Sequence, residues 1–288
     1  MDTPEITDNN ASSNELNKVN LPRELLRYVN VGKLQENIAN YPEMQADLSP
    51  EQERRVGLIK DKLLQLPLIH ATRKVLPSGA SIVPISELSG VYNPNTQGLD
   101  KSLGLDKYTF FHWGLPIRSS YGRNFLLVSP SLLLDPNTIA TPYDIGIVAT
   151  VDDTPFDEIP EERKARYQEY YFDKMVTGKS WLEINARKIL HSYEDGNAFF
   201  ELASNQTFGE IKHFGAVDHH LITKQITVGD FREYYKFLYE HGFAWDNMER
   251  ARSRFLRTGK KDVTIDPTPE EIGVNYEEAS KYWKELLV

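Results

Sequence analysis

A glutamate interrupts a β-like run in the segment FGEIKHFGAVDHHLITKQITV, Phe208 to Val228. A carboxylate held there, beside Ile211, can stabilise positive charge as it develops on a reacting substrate. It can equally be an exposed polar residue of an edge strand. Eight residues after the glutamate, Asp218, followed by His219 and His220, supplies ligand types suited to a divalent metal. Strand geometry opposes that use, because neighbouring side chains point to opposite faces and both histidines reach one ion only through a turn or bulge. His112, His191, His213 and His241 offer no HExxH or comparable spacing. A turn between two strands is therefore the expected role of AVDHH, and no resident metal is expected.

Two earlier segments also carry chemistry. In LIHATR, Leu68 to Arg73, alternation sets His70 and Thr72 on one strand face and Ala71 and Arg73 on the other. An imidazole beside a hydroxyl can grip a sugar diol, or it can be a half-buried strand residue held by its own hydrogen bond. In FFHWG, Phe110 to Gly114, Phe111 and Trp113 share a face opposite Phe110 and His112. Such aromatics can stack on a flat heterocycle or simply fill a core. Tyr121, in the loop that follows, can reach a cleft or cover a core edge. The chain contains no GxxxxGK[ST], no GxGxxG after a strand and no GxSxG elbow; Ser129-Pro130 lacks the glycines such an elbow needs.

The elements that must position these residues follow from periodicity. Residues 1–20 are polar and acidic and read as a mobile leader. Residues 21–65 read as helical. Within them Ser49 is a good N-cap and Pro50 suits the first helical turn, with Val56, Ile59, Leu63 and Leu64 on one face. Residues 66–228 are β-rich, with strands expected in LPLIHATRKV, YTFFHWG, NFLLVSP and DIGIVATVDD, and then as a final pair around Glu210 and after Leu221. A helical insertion occupies 160–193, broken near Thr177-Gly178 and restarted with Ser180 as cap. Residues 229–288 return to helix, with Asp230 as N-cap and Phe231, Tyr234, Tyr235 and Leu238 as a packing face. The plan is α+β.

Bulk composition sets outer limits. The 288 residues are 40% hydrophobic and carry a net charge of -9. An acidic chain repels phosphate backbones at long range, so nucleic acid is not an expected partner. There are no cysteines, which rules out disulfides, thiol nucleophiles and Cys-ligated zinc. No apolar run is long enough to span a bilayer and no signal peptide of the ordinary kind is visible, so a soluble protein is expected.

Taken in order, a strand bearing His-x-Thr, an aromatic strand of the YxFF kind and a late Glu-Ile strand resemble the ADP-ribosyltransferase superfamily, in particular the bacterial toxin and effector type. The likeness covers roughly Leu66 to Val228. It implies a split antiparallel core that binds NAD as a substrate in a cleft between two small sheets, with helices before, within and after it. Glu210 matches the catalytic glutamate. His70 matches the first-motif polar residue, or Arg73 does if the chain follows the arginine-led subgroup, and Thr72 supports the ribose side. Phe111 or His112 would face nicotinamide, and Ser129 is an alternative second-motif match. Arginine-directed members carry Glu or Gln two residues before the catalytic glutamate, where this chain has Phe208. The likeness further implies a target protein, a host protein if the chain is delivered by a dedicated secretion system, or else a cytoplasmic enzyme. Two other readings stay open: a metal-dependent hydrolase built on Asp218, His219 and His220, and a non-enzymatic interaction module.

Overall fold

A computed structural model of the chain describes residues 19–88, 98–114, 124–142, 154–194, 209–227, 231–243, 270–275, 277–278 and 281. The helices are α1 (Val31–Glu36), α2 (Pro50–Leu63), α3 (Gly98–Ser102), α4 (Glu161–Tyr170), α5 (Gly178–Glu194) and α6 (Phe231–Glu240). The strands are β1 (Leu68–Thr72), β2 (Tyr108–Trp113), β3 (Asn124–Val128), β4 (Thr138–Thr141), β5 (Val176–Thr177), β6 (Glu210–Phe214) and β7 (Ile222–Thr227).

Local chemistry accounts for the best-defined helix. The Ser49 hydroxyl accepts from the Gln52 backbone N–H at 3.3 Å, and the Gln52 side chain accepts from the Ser49 N–H at 2.9 Å. This reciprocal pair satisfies two donors that a helix start leaves bare. Pro50 fills the first position at no hydrogen-bond cost. Val56, Ile59 and Leu63 bury the face that packs on α5. The α5 stripe of Trp181, Ile184, Ile189 and Leu190 is buried as its spacing predicts. Its start differs from the expectation. Ser180 donates its backbone N–H to the Thr177 hydroxyl at 3.2 Å, so Thr177 caps the first turn and Ser180 lies inside it.

The seven strands make one antiparallel sheet in the order β5-β4-β6-β2-β1-β3-β7. The α+β class holds, but among the described residues the strands form a single continuous sheet and not two smaller ones. A second correction concerns the late strands. β6 and β7 were expected to pair; instead β6 lies between β4 and β2, while β7 forms the far edge against β3. The reason is burial. EIKHF is covered on both faces, whereas ITKQIT exposes Thr223 and Lys224 and suits an edge. β4 was not expected from sequence. The strand expected at 144–153, the leader up to residue 18, Tyr121 and Asp230 lie outside the described residues.

The core divides in two. One apolar cluster joins Leu68, Phe111, Trp113, Leu126 and Ile211 to α2, α5 and α6. The second joins Tyr108 and Ile139 to Leu25, Val29, Tyr167, Tyr171 and Phe172. Helix α4 and the turn after it thus cover the β4-β6-β2 part of the sheet on the side where Glu210 stands. Among the described residues, no helix is long and apolar enough to cross a membrane.

Candidate functional site

Register decides which side chains share a face. Thr141 pairs with Glu210, Glu210 with His112, and His112 with Ile69. Directly opposed residues in antiparallel strands project to the same side, so these four form one row. The next row, Ala140, Ile211 and Phe111, projects to the other side. His70 belongs with it, its ring 5.7 Å from that of Phe111. Glu210 and His70 therefore stand on opposite faces, with β2 between their strands. The expected crevice flanked by Glu210 and His70 is corrected on this point: the histidine that shares the glutamate's face is His112.

Glu210 is buried in the interior of the sheet, which overturns the edge-strand alternative. Its partner is Lys212, two residues on and hence on the same face. The Lys212 ammonium lies 2.7 Å from the Glu210 carboxylate, with side chains 0% and 6% exposed. It donates to the Thr141 hydroxyl at 2.8 Å. It also sits 5.0 Å from the Tyr171 ring centroid and 5.9 Å from that of Phe110. A buried ammonium needs such compensation on every side, and the two ring faces supply the part that oxygen does not. Gly209 fixes the entry into β6. Its φ is +80°, and a Cβ there would lie 2.4 Å from the Thr141 carbonyl oxygen and 2.9 Å from the Trp181 ring. Only glycine lets the chain turn in that close beside Thr141.

The other expected site residues divide. The His70 Nδ1 lies 2.8 Å from the Phe110 carbonyl oxygen. Burial pushes its pKa down, and this bond opposes the shift. Thr72 donates to the Lys74 carbonyl at 3.1 Å, closing a local turn at the far end of β1. Arg73 is exposed beyond that end. Phe111 is core, with no exposed surface. Ser129 caps the short turn at Pro130–Leu134, accepting from the Ser131 N–H at 3.3 Å, three strands from Glu210. The structure thus brings Glu210 and His112 together and leaves Thr72, Arg73 and Ser129 elsewhere.

Sequence reasoning overlooked Lys212 and Thr141. The Glu-x-Lys spacing was a usable signal, because period-two geometry puts positions 210 and 212 on one face. It also overlooked the buried contact of His213 with the Thr138 hydroxyl at 3.0 Å. Burial lowers the His213 pKa, while the charge of Asp135 pulls the other way.

Asp218, His219 and His220 do occupy a turn, which removes the geometric objection to their acting together. Asp218 caps a single 3-10 turn, His219–Leu221, by accepting from the His220 N–H at 2.8 Å. That bond first, and the two imidazoles after it, hold its carboxyl below the usual range. One candidate ligand atom from each residue lies within 4.8 Å of the others.

No protein-family model, curated protein or solved structure matches this chain. The functional reading therefore stands on the geometry and on the residues themselves.

Proposed function

We propose that the protein transfers ADP-ribose from NAD to a side chain of another protein, with Glu210 as the catalytic carboxylate. One observation carries this reading. The three segments that bear the resemblance are far apart in sequence, yet they lie side by side as β6, β2 and β1. In this reading NAD docks at the end of the sheet where β2 and β4 finish and β6 begins. Glu210 is the first residue of β6, and His112 stands opposite it.

The chemistry is a displacement at the nicotinamide-side ribose. The bond from C1′ to the nicotinamide nitrogen breaks, and nicotinamide leaves with the electron pair. A lone pair on the acceptor forms the new bond to C1′, and the acceptor's proton passes to solvent. Positive charge on the sugar peaks near the transition state, and a carboxylate already fixed in place stabilises that charge more than it stabilises the ground state. The Lys212 contact, at 2.7 Å, holds the carboxylate in position. His112 is the group on the same face able to hold the ribose or the leaving base. His70, behind the sheet, supports β2 through the Phe110 carbonyl.

The test is incubation of the full chain with labelled NAD and a cell lysate, alongside Glu210→Gln. Label on a discrete protein band, lost in the variant while its circular dichroism is unchanged, is the expected outcome. Nicotinamide release without labelling would replace transfer by hydrolysis at the same site. Absence of both, with no heat of NAD binding, would overturn the proposal in favour of an interaction module.

A further inference from the structure

The turn between β6 and β7 is a second site of a different kind. We infer that Asp218, His219 and His220 bind one divalent d-block cation of the zinc class, and that the fold holds the turn ready for it. Nothing in this inference depends on the reading of Glu210, which lies on β6, whereas the turn leads into β7 at the far edge of the sheet, with β2, β1 and β3 between them.

Three features carry it. The first is ligand chemistry: two imidazoles and one carboxylate suit zinc, nickel or copper, and disfavour magnesium or calcium, which prefer all-oxygen shells. The second is convergence. The two imidazole rings are adjacent, with centroids 3.8 Å apart. His219 Nδ1 lies 3.2 Å from Asp218 Oδ1. With one ligand atom from each residue already inside a 4.8 Å span, small side-chain rotations complete three corners of a coordination sphere. Asp218 Oδ1 is committed to the backbone N–H of His220, so Oδ2 is the oxygen available to a cation.

The third is rigidity, which sets this turn apart from a chance surface grouping. On the β6 side, Val217 and Ile82 exchange two backbone hydrogen bonds, at 2.7 and 3.0 Å. Within the turn, the Leu221 N–H donates to the Asp218 carbonyl at 3.0 Å. On the β7 side, the Ser129 N–H donates to the Leu221 carbonyl at 2.8 Å. The backbone bearing the ligands is therefore pinned before, within and after the turn. A preorganised site loses less conformational entropy on binding. Asp218 and His220 are exposed and His219 is half-exposed, so the remaining coordination positions face outward to water or to a donor from another molecule.

The test is calorimetric titration of chelator-stripped full-length protein with zinc chloride, beside His219→Ala, His220→Ala and Asp218→Asn. Asparagine keeps an oxygen to cap the turn while removing the charge. One zinc per chain is expected for the native protein. Either histidine variant should bind at least tenfold more weakly, and Asp218→Asn should show a smaller loss. His241→Ala, in the turn just after α6, should bind as the native chain does. Unchanged thermal midpoints would show that the turn variants remain folded. Failure of the native protein to bind zinc, or native affinity in either histidine variant, would overturn the inference.

Discussion

Removing the charge of Glu210 should destabilise the protein strongly, and removing the charge of Lys212 as well should largely reverse the loss. The two groups are 2.7 Å apart and almost wholly buried. At an effective dielectric of about 20, their attraction is on the order of 6 kcal/mol, most of it spent against the cost of taking both ions out of water. Glu210→Gln cancels the attraction but leaves the ammonium buried. The Thr141 hydroxyl and the Tyr171 and Phe110 rings then compensate only part of its desolvation. The expected loss is about 3–5 kcal/mol. For a domain of this size that corresponds to a melting temperature lower by roughly 6–20 °C. Glu210→Gln combined with Lys212→Met leaves no charge at this pair and should return to within about 1 kcal/mol of the native protein, or exceed it. Urea denaturation of the native chain, both single variants and the double variant measures each term and their coupling. A single variant as stable as the native chain, or a double variant as unstable as the worse single one, would refute the account of the pair. The same double variant separates two roles for Glu210: folded but unable to release nicotinamide, it marks the carboxylate as catalytic as well as structural.

Gly209→Ala should cost roughly 2–4 kcal/mol, because a positive φ and contact with the Thr141 carbonyl act together. Gly215→Ala, also at positive φ but with no atom near its Cβ position, should cost only about 1–2 kcal/mol in a parallel urea series. His213 and His70 make stability fall with acid. Burial sets both folded pKa values below their ordinary 6.5, so the unfolded chain takes up protons first as pH drops. Their neutral-state contribution is complete above about 6.5 and is lost progressively below it. Urea midpoints should therefore decline from pH 7 to pH 5, and His213→Gln should flatten that slope; an unchanged slope would remove His213 from the account.

Much of the architecture was legible where one segment determines its own state. The Ser49-Pro50 signal located α2 because the cap is a local bond, and the apolar runs at Leu68, Tyr108 and Asn124 located β1, β2 and β3. β4 was not legible: TIAT is four residues long with threonine at both ends, and its wholly buried state comes from neighbours β5 and β6. Sheet order was not legible either, because pairing is decided by partners distant in sequence. The AVDHH turn and the two β-like runs beside it read naturally as a hairpin, yet each strand joined a different neighbour. Within the site, His70 was placed on its own strand face correctly. Which face of β6 it would meet depended on the His112–Glu210 register, a non-local quantity.

The link from β6 to β7 has to travel past three strands, β2, β1 and β3. Four inter-strand steps amount to about 19 Å, and because β6 ends beside Tyr108 while β7 starts beside Val128, at the opposite end of the sheet, the link must also run back along a strand's length. The chain between Phe214 and Ile222 reaches roughly 26–29 Å when drawn out fully, and part of that length is taken up by the helical turn at His219. There is little slack. A one-residue deletion here has nowhere to be absorbed except in the outer strand itself, whereas an inserted glycine can bulge outward. The strap ties one flank of the molecule to the other like a belt, and its length is a gauge of how wide the sheet may be.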